Sequence, residues 1–247
     1  MNDSMSILLD IGVNLFAAFI GFAIGWLWQW IGKEIKLRRV RRFWKPFTKG
    51  ALRIVVGRFS EFESFEQSGF LGIGDAIGLA ELRTYFDQLG FDNFEVAYAD
   101  RMSGDLLNAN LILLGGPDAN SVTKEAVSKI RSTIQFGNPE KYEIAFYDST
   151  SNKVYAPRLQ SINSRKIAND YGIIFKTENP FSPDKQIIII AGSFGYGTWA
   201  GAKYILSKSF IENPIVKKNS RIECLITTDI VRETPQNIQS IILRELK

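Results

Sequence analysis

A chain of 247 residues with 45% hydrophobic content can bury one sizeable core beside a shorter accessory element, and is too short for two full domains. It holds no histidine and a single cysteine, which excludes Ser-His-Asp and Cys-His nucleophile activation, histidine-based metal sites and a disulfide framework; no catalytic set, metal or cofactor is expected. The net charge is +4, yet residues 33–49 carry eight Lys/Arg against one Glu, so the rest sums to 4 − 7 = −3, a balance that argues against direct nucleic-acid binding by that remainder.

The first predicted element is the charge-free run 11–32, which as a helix reaches about 33 Å and reads as a membrane span. Nothing basic precedes it and no A-x-A site follows, which argues against a cleaved signal peptide. Asp3 and Asp10 lie before it and the basic stretch after it. The positive-inside rule then predicts a single-pass protein of the cell membrane, N-terminus outside and C-terminal bulk cytoplasmic, with Trp26, Trp28 and Trp30 as interfacial anchors. Asn14, Ala17, Ala18, Gly21 and Gly25 share one stripe, the spacing of helix self-association, so a homo-oligomer is expected.

In 33–49, Arg38, Arg39, Arg41, Arg42 and Lys45 suit anionic lipid headgroups at roughly 1 kcal/mol each, or serve only as topology signals. Val40, Phe43, Trp44 and Phe47 interleave with them as interfacial residues, and the basic helix is predicted to stop before Pro46. The organisation read from the chain is therefore a membrane helix to residue 32, a basic helix over 33–49 and an α/β domain over 50–247.

That domain begins with a strand, "ALRIVVG", and an acidic, aromatic loop, followed over 72–90 by a glycine turn and a helix that stops at Gly90. "FEVAYA" and "ANLILLGG" read as strands, and a helix capped by Asn120 or Ser121 follows. "YEIAFYD" and "KVYAP" form a hairpin around "STSN", "YGIIFKT" precedes the loop "ENPFSPDK", and "QIIIIAG" runs through a glycine turn into a helix. "RIECLITTDI" is a strand, with Cys224 as a small core residue, and "QSIILREL" is a strand or a short helix. The expected fold is α/β: a Rossmann-like, mainly parallel sheet with an antiparallel portion.

Three strands feed glycine turns, the positions where open α/β sheets hold ligands. They supply the candidate site residues Gly72, Gly74 and Asp75; Gly115, Gly116 and Asn120; and Gly192, Ser193, Gly195, Gly197 and Thr198. Glycine permits close backbone approach, and free N–H groups at a helix start attract an anion. Each turn has a plainer reading, with Asp75 and Asn120 as helix caps and the 192–198 loop as a packed turn. That loop has the outer spacing of a P-loop without its lysine, and 195–200 matches G-x-G-x-x-A, so nucleoside-triphosphate hydrolysis is not expected. In an enzyme, Asp75, Asp118 or Asp170 is the acid/base candidate.

The runs "LILLGGPDANSVTKE" and "DYGIIFKTENPFSPDKQIIIIAGSFGYGTWAGAKYI" resemble a prokaryotic Rossmann-like domain with GGPxxN, YG-aliphatic, NPF/NPxK and AGxxGxGT motifs. It occurs near the C-terminus of some archaeal surface-layer proteins and in membrane-tethered bacterial proteins. The resemblance implies the fold and a shared site edge, and carries no activity. The layout is also similar to membrane effectors of prokaryotic antiviral defence. The expected function is thus a membrane-anchored effector or sensor whose domain binds a protein partner or small anionic ligand and controls self-association; the alternative is a tethered enzyme acting on a nucleotide or sugar-like substrate.

Overall fold

The computed structural model describes residues 2–59, 67, 69–137, 144–161 and 166–246; within the first helix, the side chains of 2–13, 17, 30 and 32–37 lie outside the description. The helices are α1 Asn2–Thr48, α2 Ile73–Leu89, α3 Ser121–Lys129, α4 Gly195–Ile205, α5 Lys208–Ile211 and α6 Pro214–Lys218. The strands are β1 Leu52–Val56, β2 Phe94–Tyr98, β3 Asn110–Leu114, β4 Ile134–Phe136, β5 Phe146–Asp148, β6 Lys153–Tyr155, β7 Arg158–Leu159, β8 Ile167–Asn179, β9 Ser182–Gly192, β10 Ile222–Val231 and β11 Thr234–Glu245. The chain divides into two units, Met1–Arg42 and Phe43–Lys247.

The first unit overturns the membrane reading and, with it, the single-pass localisation. Among the described residues no helix is long and apolar enough to cross a membrane. Lack of charge over a run is not the same property as apolar length, and Asn14, Gly21, Gly25 and Gln29 interrupt the apolar side chains here. Asn14 and Ala18 are exposed, and a Cβ at Gly21 or Gly25 would meet nothing within 4 Å; the Ala17 and Trp30 side chains lie outside the description. Arg38, Arg39, Arg41, Arg42 and Lys45 are all exposed.

α1 does not stop before Pro46 but continues to Thr48. Proline in a helix interior costs roughly 3 kcal/mol, but here it falls in the last turn, between two aromatic residues that hold the turn in place. Trp44 and Phe47 are fully buried, with Trp44 edge-on to Phe86 at 4.9 Å. They are core residues, not interfacial ones, and the second unit accordingly begins at Phe43 inside the helix.

In that unit the main sheet has the order β11-β10-β8-β9-β3-β1-β2, with β7 paired to β8. β2, β1, β3 and β9 run parallel, while β8, β10 and β11 are antiparallel. The sheet is therefore mixed, where the sequence pattern predicts mainly parallel. "ENPFSPDK" is not a free loop but the tight turn joining β8 to β9, and a direct hairpin makes neighbours antiparallel.

Strand alternation divides the core. Leu111, Leu113, Ile187, Ile189 and Phe175 pack with Val122 and Ala126 of α3 and with Ile134 and Phe146 of the small sheet β4-β5-β6. The opposite register, including Leu114 and Ile190, meets α2 and α4. Arg244 of β11 bridges the nearly inaccessible Glu223 of β10 and Asp148 of β5, tying the small sheet to the C-terminal hairpin.

The turn of that hairpin is strained. Arg232 and Glu233 both have left-handed φ, 51° and 59°, in a two-residue turn that favours Asn-Gly. Glu233→Gly should raise stability by about 1 kcal/mol, read as a higher urea midpoint at unchanged slope.

Candidate functional site

At the carboxyl ends of β1, β3 and β9 the three glycine turns meet around one cleft of about 180 Å³. β1 is flanked by β2 on one side and β3 on the other, and chain order reverses there, the place where open α/β sheets bind ligands. Of the sequence candidates, Gly72, Asp75, Gly115, Gly116, Gly192, Ser193, Gly195 and Thr198 line the cleft. Phe59, Asp118, Ala119 and Phe194 complete the wall. The loop after Phe59 lies largely outside the described residues.

Asp75 dominates the cleft chemically. It sits in the first turn of α2 but makes no capping hydrogen bond; Gly72 is the cap residue. Its carboxyl instead lies over Gly115, whose φ of +98° requires glycine and whose Cβ would fall 2.8 Å from Oδ2. Burial pushes the Asp75 carboxyl up to about 6, opposed by a hydrogen bond from the Thr198 hydroxyl and helped by the charge of Asp118. The Ser193 Oγ is buried without a hydrogen-bond partner among the described residues. The lining contains two carboxylates and, among the described residues, no lysine or arginine.

The remaining candidates are structural. Asn120 caps α3 by accepting from the Thr123 N–H, and its amide donates to the Val55 and Leu114 carbonyls, holding the turn against β1 and β3. A Cβ at Gly74 would lie 1.8 Å from the Gly195 carbonyl oxygen, so this pair lets the first turns of α2 and α4 touch backbone to backbone. Gly197 is pressed equally closely on Tyr171, at 2.0 Å.

At the start of α4 the Phe194 and Gly197 N–H groups are engaged within the fold. The Gly197 N–H donates to Asp170 Oδ2 at 2.6 Å, and the Phe194 and Tyr171 N–H groups donate to Oδ1 at 3.3 and 2.8 Å. Thr198 Oγ1 accepts from the Gly192 N–H at 2.9 Å. Asp170 is completely buried; burial pushes its carboxyl up to about 7 against the three backbone donors. An internal carboxylate thus stands at the start of α4. Sequence reasoning weighed Asp170 only as an acid/base, because its partners lie across the β8-β9 hairpin.

Among the described residues no group of three or more acidic or cysteine side chains is placed to hold a metal ion. No protein-family model matches the chain, and neither does any curated protein or solved structure.

Proposed function

We propose that the Phe43–Lys247 unit is a sensing module that binds a small polar molecule in the cleft at the ends of β1, β3 and β9. One observation carries this reading: three turns distant in sequence converge on a single glycine-walled cleft lined by the buried Asp75. Backbone walls admit a ligand closely, and the carboxyl gives it orientation.

Screening the purified protein against polar metabolites by thermal shift tests it. A ligand at 100 times its Kd adds ~2.7 kcal/mol, about 5–10 °C for a domain of this size. Gly116→Val is the matched control, since its Cβ would meet only the end of the Asp118 side chain at 2.7 Å before filling the cleft. A shift that persists undiminished in a folded Gly116→Val protein places the ligand elsewhere and ends the proposal.

An enzyme reading of the same cleft rests on Asp75, whose carboxyl at about 6 suits proton transfer near neutral pH. Turnover of a bound ligand that disappears in Asp75→Asn while binding remains would favour it.

A further inference from the structure

Of the nineteen large hydrophobic residues that are exposed among the described residues, ten lie in 15–31 of α1. Phe16, Phe19, Phe22, Trp26 and Trp28 are 61–79% exposed, and at ~150–250 Å² per aromatic side chain these five alone leave on the order of 700 Å² of apolar surface uncovered. A monomer rarely shows a contiguous apolar patch beyond a few hundred Å², and a stable interface takes about 800 Å² from each partner. With the five exposed Leu and Ile residues of the same run added, α1 supplies that area. We infer that its cover is further copies of this chain: α1 helices pack on one another through their large apolar side chains, in a bundle of three or more.

The number of copies follows from how the side chains are spread around the helix. At ~100° per residue, the exposed large apolar residues occupy roughly two-thirds of the circumference, from Phe22 round through Phe16 and Leu27 to Trp28. The remaining third carries Asn14, Ala18, Gly21, Gly25 and Gln29. A two-helix coiled coil buries a narrower seam, about two positions in seven. An arc this wide is covered only by neighbours on more than one side, as in a helix bundle. A different protein would have to surround the helix with apolar surface of its own, whereas symmetry presents each copy with the same arc. The small and polar third then faces water, where the Asn14 and Gln29 amides stay hydrated. This reverses the expectation from sequence: the large side chains make the contact, and the small-residue stripe lies outside it.

Light scattering coupled to size exclusion, on the full chain in detergent-free buffer, tests this. The expected mass is at least three times the 27.9 kDa of one chain. Phe16→Glu combined with Leu27→Glu puts two charges at the centre of the arc and should raise the concentration of half-dissociation about tenfold or more. Both positions are exposed, so circular dichroism of the variant should still show a folded Phe43–Lys247 unit. Gly21→Leu, on the opposite stripe, should leave the mass unchanged. A monomer or dimer at micromolar concentration overturns the inference, as does a mass that falls in Gly21→Leu and survives in the Phe16 and Leu27 variant. Flotation of the wild-type chain with phosphatidylcholine vesicles, or solubility only in detergent, would assign the arc to lipid and overturn it as well.

Discussion

Gly197→Ala and Gly74→Ala should each lower the melting temperature by roughly 6–12 °C, while Gly195→Ala moves it by no more than a few degrees. The contrast follows from what the added methyl meets. At Gly197 it would stand 2.0 Å from the Tyr171 carbonyl oxygen and 2.7 Å from the Gly192 Cα; at Gly74 it would stand 1.8 Å from the Gly195 carbonyl oxygen. All of these obstacles are backbone, so neither β8 nor α4 can yield by a side-chain rotation. Overpacking of this kind costs about 3 kcal/mol or more, at 2–4 °C per kcal/mol for a domain of this size. At Gly195 the nearest atom is the Gly74 N at 3.2 Å, a contact relieved by a few tenths of an ångström. Differential scanning calorimetry of the three variants decides it: equal shifts would show that the α2-α4 approach is not the constraint described. Loss of ligand binding in a Gly197 variant therefore reports on packing, and Gly116 is the position that probes the cleft.

The second large effect is an acidic stability optimum, near pH 4–5 and not near neutrality. Burial holds Asp75 at about 6 and Asp170 at about 7, both above the ordinary 3.8. The folded protein binds these protons more tightly than the unfolded chain does. Their contribution is complete below ~pH 4 and is lost as pH rises through 6 and 7. At 1.36 kcal/mol per unit, Asp75 alone accounts for on the order of 3 kcal/mol, and Asp170 adds with the same sign.

At the other end, Asp148 is drawn down to about 2: burial alone would raise it, but the Arg244 guanidinium, Ser151 and the Thr150 N–H outweigh that. Glu223 is likewise lowered, by Ser132, Thr133 and Arg244 against its burial. Their contribution is present above the ordinary carboxyl range and is lost as pH falls through the lowered values. Urea unfolding at pH 4.5 and pH 8 measures the difference, and Asp75→Asn should remove much of it. A protein equally stable at both values, or more stable at pH 8, contradicts the assignment.

Local pattern alone was enough to determine much of this protein. The aliphatic runs at 52–56, 110–114 and 186–191 are strands because each is apolar on both faces and bounded by glycine, and Gly90 stops α2 through a left-handed φ of 72°. The three glycine turns were legible for the same reason, and eight of their residues line the cleft. Local pattern was blind to partners. Whether Asp75 caps its helix or faces a cleft depends on Gly115, forty residues away, and whether the α4 N–H groups are open depends on Asp170 across a hairpin. Trp44 and Phe47 look like interfacial aromatics beside their arginines until Phe86 is brought against them. The same limit applies to the strand directions, which follow from the tight β8-β9 turn. Periodicity reports which face of an element is apolar. What that face meets is decided by packing between residues far apart in the chain, and only the tertiary structure holds that information.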